Sequence, residues 1–114
     1  MQSKPVISRR LRSTLIAGAL ILASWGGAAS AADAVVKIDN FTFEPQTLTI
    51  PVGTTVTWQN DDDIPHLVAE KNGKFRSKAL DTGDKFSQQF TAAGTVEYYC
   101  AIHPHMTGKI VVTP

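Results

Sequence analysis

Tyr98-Tyr99-Cys100-Ala101-Ile102-His103-Pro104-His105-Met106-Thr107-Gly108 is the stretch that decides the reading of this chain. It places a thiol, an imidazole and a thioether at positions i, i+3 and i+6. On a helix that spacing would make one stripe, but Pro104 lies inside it and has no N–H to give a helical ladder. Val96 to Tyr99, just before it, alternates like a strand. The segment is therefore expected to be a strand end, a tight loop and the start of a new strand, with the loop aiming its donors at one point. A thiolate binds copper strongly, imidazoles suit both of its oxidation states, and a thioether can sit at a long axial distance. Two histidines, one cysteine and a weak axial methionine describe a blue-copper electron-transfer site. The loop supplies Cys100, His103 and Met106 and leaves one histidine to be found.

Three histidines occur in the chain, and His66 is the natural candidate for the missing ligand. It follows the turn Asn60-Asp61-Asp62-Asp63-Ile64-Pro65, which could lie at the same end of the fold as the Cys100 loop. His105 is expected at the loop rim, facing solvent, because three strong donors already satisfy such a site. Asp61 to Asp63 reads as a solvated turn, with a docking patch or a charge favouring copper(II) as the alternatives. The single cysteine cannot form an internal disulfide. An inert thiol or an intermolecular bridge is the plain explanation for such a residue, and its neighbours favour a ligand instead.

Outward from the loop, the chain reads as short strands. Val35–Ile38, Phe41–Phe43, Thr47–Ile50, Thr54–Gln59, His66–Glu70, Phe86–Phe90, Thr95–Cys100 and Lys109–Val112 are rich in β-branched and aromatic residues. Leu48 and Ile50 alternate with threonines, and Val56 and Trp58 alternate with Thr55, Thr57 and Gln59. That period of two suits half-buried antiparallel strands. Pro51-Val52-Gly53, Asn72-Gly73, Asp81-Thr82-Gly83 and Ala92-Ala93-Gly94 punctuate the runs as turns. The expected fold is an all-β antiparallel sandwich or barrel of about eight strands. Trp58, Phe41, Phe43, Phe86, Phe90 and Tyr98 are expected in its core.

The N-terminal part differs in character. Lys4, Arg9, Arg10 and Arg12 precede an apolar run from about Leu15 to Ala23, and a stretch rich in Gly, Ala and Ser follows to Ala32. This is the pattern of an export signal. The run is shorter than the roughly 20 apolar residues that a membrane anchor needs. Residues 1–32 are therefore expected to be a cleaved signal peptide and 33–114 the working domain, with Sec and twin-arginine export both open. The whole chain carries a formal charge of +1, but the domain without its leader is acidic. It has no nucleic-acid footprint, which would need a basic surface, and no signal for stable membrane insertion. Lys71, Lys74, Arg76, Lys78 and Lys85 read as an ordinary solvated face.

Two stretches then carry a family resemblance: Trp58-Gln59-Asn60 followed, after four residues, by Pro65-His66-Leu67-Val68; and Cys100-Ala101-Ile102-His103-Pro104-His105-Met106. They are supported by Phe41-x-Phe43-x-Pro45 and Val52-Gly53-x-x-Val56-x-Trp58. The sequence resembles the cupredoxin family of blue copper proteins, and within it the amicyanin branch, whose loop has the contracted C-x-x-H-x-x-M form with Pro after the histidine. The resemblance implies a Greek-key antiparallel β-sandwich with one type 1 copper ion near one end. It makes His66, Cys100 and His103 equatorial ligands and Met106 the axial one. Asn60 matches the asparagine that braces the ligand loops near the thiolate. It further implies a periplasmic carrier of single electrons, not an enzyme, with a dehydrogenase as donor and a c-type cytochrome as acceptor. A monomer is expected. His105 departs from the branch, which usually has an apolar residue there, and so does the acidity of Asp61-Asp62-Asp63.

A copper storage or delivery module is the main rival, and its sites favour Met and His over Cys. A Cys/His hydrolase would need a cleft and an orienting third group. Haem attachment would need C-x-x-C-H, and structural zinc sites are built from Cys, His and carboxylates rather than methionine.

Overall fold

The computed structural model describes residues 32–114; the expected signal peptide, 1–32, lies essentially outside them. Eight strands run in the order β1 (Asp33–Asp39), β2 (Thr42–Glu44), β3 (Thr47–Pro51), β4 (Thr55–Asn60), β5 (Val68–Glu70), β6 (Lys85–Gln89), β7 (Gly94–Cys100) and β8 (Thr107–Thr113). They form two four-stranded sheets, ordered β2-β1-β4-β6 and β3-β8-β7-β5. Among the described residues no helix is long and apolar enough to cross a membrane.

Alternation decides which side chains meet between the sheets. In β4, Val56, Trp58 and Asn60 point inward, while Thr55, Thr57 and Gln59 are only partly covered. β1 contributes Val36 and Ile38, and β8 contributes Ile110 and Val112. Trp58 is the hub: Phe75, Phe86, Phe90 and Tyr98 all lie within 6.4 Å of its ring centroid. An aromatic group so enclosed contributes roughly 3–5 kcal/mol on the scale of truncation to alanine. The register is correspondingly firm. Ile38 pairs with Asn60, and Trp58 pairs with Phe86; a slip of one residue would turn the whole inner set of β4 outward.

Three features differ from the sequence expectation. Two strand pairs, β1–β4 and β3–β8, are parallel, while the remaining pairs are antiparallel. The chain crosses to the second sheet for β3 and returns for β4, so β4 arrives beside β1 in the same direction. His66 lies outside β5. Pro65 precedes it, and His66 instead exchanges backbone hydrogen bonds with Leu80, N–H to oxygen in both directions at 3.0 and 2.7 Å. Phe41 is not in the core but 50% exposed. Asn40 and Phe41 have φ of 49° and 59°, which breaks the alternation before Phe43 and turns the Phe41 ring out at the end of the sandwich.

Candidate metal centre

Cys100 is the last residue of β7, paired with Val68 of β5, and is fully buried. The loop after it is pinned by its own backbone. His103 N–H donates to the Cys100 carbonyl (3.1 Å), Met106 N–H to the His103 carbonyl (2.9 Å), and Cys100 N–H to the Met106 carbonyl (2.9 Å). Ala101 N–H donates across to the Leu67 carbonyl (3.1 Å), which ties this loop to the one carrying His66. Leu67 N–H also points at the Cys100 sulfur, 3.4 Å away.

The structure brings three of the four sequence-expected donors, His66, Cys100 and His103, together. Cys100 Sγ lies 3.6 Å from His66 Nδ1 and 3.7 Å from His103 Nδ1, and the ligand atoms of the three residues fall within 4.8 Å of one another. Two imidazoles and one thiolate so placed are the strong donors that a blue-copper site would use. Met106, buried, closes the same loop. His105 is exposed and takes no part in the cluster.

Asn60 holds the His66 loop from beneath. Its amide donates to the carbonyls of Ile64 (2.9 Å) and Leu80 (2.8 Å), and its oxygen accepts from Asp62 N–H (2.9 Å). These bonds run to the histidine loop and to the segment that pairs with it. All of them are made by a side chain with no exposed surface.

Asp62 is the residue the sequence reading missed. It is neither a solvated turn residue nor a docking charge but is buried. Its Oδ2 accepts from His66 Nε2 (2.9 Å) and from Phe41 N–H (3.1 Å), and its Oδ1 accepts from Asp63 N–H (2.9 Å). The hydrogen bond from His66, helped by the backbone N–H groups of Phe41 and Asp63, holds its carboxyl at about 2 against the opposing effect of burial. An ionised Asp62 can only accept, so Nε2 of His66 carries a proton, and Nδ1 faces the Cys100 sulfur. Such partners orient metal-binding histidines generally. Nothing in the run Asp61-Asp62-Asp63 singles out Asp62.

Fold and donor set together define a blue copper protein, and comparison with known proteins agrees. The family model of the cupredoxin-like domain matches residues 12–112, and the chain belongs to that family. Amicyanin of Paracoccus denitrificans is 38% identical over 92 residues, covering 75% of this chain and 70% of that one. Amicyanin-alpha of Methylorubrum extorquens is 36% identical over 89 residues, covering 74% and 75%. Among solved structures, a purple cupredoxin from Nitrosopumilus maritimus superposes with a TM-score of 0.66 at 41% identity, over 71% of this chain and 100% of that one. Within its family the chain is amicyanin-like, and its cofactor is one copper ion.

Proposed function

We propose that this protein is a periplasmic carrier of single electrons, with His66, Cys100 and His103 as the equatorial copper ligands and Met106 as the axial one. The observation that carries the proposal is the meeting of Cys100 Sγ with the Nδ1 atoms of His66 and His103, at 3.6 and 3.7 Å, from two separate loops. Copper bound there supplies a one-electron couple between the +1 and +2 states. The chain's contribution is to keep the geometry constant through that change. The backbone bonds within Cys100–Met106, the Asn60 brace and the Asp62 hold on His66 all resist rearrangement. His66 and Cys100 are sealed from water. His103 is the half-buried ligand, and it lines an open cavity of about 440 Å³ with Phe41, Ile102 and Pro104. It is the natural exit for an electron, and this apolar rim is the surface for brief docking. The amicyanin likeness supports a dehydrogenase as donor and a c-type cytochrome as acceptor. The sequence of residues 1–32 supports export.

The test is to add copper(II) to the protein, record the visible spectrum and run voltammetry. An intense thiolate-to-copper band and a reversible one-electron wave are expected, and Cys100→Ser abolishes the band. A colourless complex that exchanges copper rapidly would instead indicate storage or delivery.

A further inference from the structure

A third element reaches the two ligand loops. Phe41 lies between β1 and β2, and its ring stands edge-on to both imidazoles. Its centroid is 5.1 Å from that of His103 at 83° and 5.7 Å from that of His66 at 89°. His66 has no exposed surface, while Phe41 is 50% exposed. The phenyl ring is thus a layer between a buried ligand and water.

The chain adopts an unfavourable backbone to put it there. Asn40 and Phe41 are consecutive non-glycine residues in the left-handed region. Such a conformation is unfavourable for a residue with a Cβ, and least so for Asn. Residues held this way cluster where the surroundings over-determine them for a purpose. Here the restraint is visible: Phe41 N–H donates to Asp62 Oδ2, the same oxygen that receives His66 Nε2. One carboxylate oxygen therefore fixes both the ligand and the ring above it. Open cavities of about 440 and 200 Å³ are both lined by Phe41, with His105 and Met106 as their other shared walls. The larger one also reaches His103.

We propose that Phe41 is a shield. Its ring closes the centre to small ligands from solvent, and the Asn40–Phe41 backbone with its tie to Asp62 serves to hold it in place. The class excluded is small anions and similarly sized neutral donors, which are smaller than the phenyl ring that bars them. Phe41 touches two ligands and not the metal, so it is a positioning residue. This inference rests on the copper reading above.

Azide is the probe, titrated into the copper-loaded protein while the visible band is followed. The parent band is expected to be insensitive. Phe41→Gly suits the left-handed backbone and removes only the ring. Its band should shift at azide concentrations at least about tenfold lower than any that affect the parent. Phe41→Asn, which also tolerates that backbone, should behave alike. Copper release to a chelator, a readout that needs no redox partner, should be faster in both. Asn40→Gly keeps the left-handed backbone, which glycine adopts readily, and keeps the ring, so it should remain insensitive. A Phe41→Gly protein that holds copper yet resists azide as the parent does would overturn the shield. So would an Asn40→Gly protein as sensitive as Phe41→Gly. A parent protein that binds copper with no thiolate band would overturn the ligand reading beneath it.

Discussion

Replacing Asn60 with alanine removes three hydrogen bonds from a side chain with no exposed surface. The Leu80 carbonyl keeps a partner, because His66 N–H also donates to it at 3.0 Å. The Ile64 carbonyl and Asp62 N–H lose the partners that Asn60 gives them. At about 1 kcal/mol for each bond lost, with an added penalty for the buried N–H, the expected loss is about 3–4 kcal/mol. A domain of this size has about 5–15 kcal/mol in all, so the change is large. The assay is urea unfolding of copper-free protein, because bound metal would add its own stabilisation to the native state. The midpoint should fall while the slope stays constant. Asn60→Asp makes a sharper comparison. It keeps an acceptor for Asp62 N–H but turns a second oxygen toward two carbonyls, so it should be at least as damaging as alanine. A loss under about 1 kcal/mol for alanine, or an aspartate milder than alanine, would refute the bracing role.

Gly108 of β8 pairs with Tyr98 of β7, and a Cβ at that position would collide with Cζ and the hydroxyl oxygen of Tyr98. Gly108→Ala should therefore cost about 1–3 kcal/mol by overpacking, read as a lowered thermal midpoint. Asp62, with its carboxyl at about 2 rather than 3.8, binds its proton less readily folded than unfolded. Its contribution to copper-free stability is complete above the ordinary carboxylate range and declines as pH falls toward about 2. Asp62→Asn should flatten that part of the stability–pH curve, and an unchanged curve would show the carboxylate to be idle. His105→Phe should leave the copper spectrum intact, since His105 is exposed and outside the donor cluster; a lost band would make it a ligand.

Much of this was legible in the chain because the chemistry is local. Cys100, His103 and Met106 share one seven-residue loop, and Pro104 rules out the helical alternative. The alternation of Val56 and Trp58 placed the inner face of β4, and the family resemblance pointed to Asn60. His66 followed from the scarcity of histidines. The rest depends on contacts that sequence spacing hides. Strand direction leaves no trace in a period of two, so the parallel pairs β1–β4 and β3–β8 could not be read. Phe41 and Phe43 look like neighbours on one face; only the left-handed pair at 40 and 41 separates them. Asp62 looks like its neighbours Asp61 and Asp63, yet those two are exposed. Its burial arises because the loop folds back beneath His66 and beside Phe41, and a run of three acids gives no hint of which one turns inward.

X-ray absorption at the copper edge of the loaded protein reports the atoms around the metal without reference to colour or partner. One short sulfur scatterer with two nitrogen scatterers is the expected shell, and the sulfur should vanish in Cys100→Ser. A shell of nitrogen and oxygen alone in the parent protein would show that the Cys100 thiolate and the two imidazoles do not share one ion.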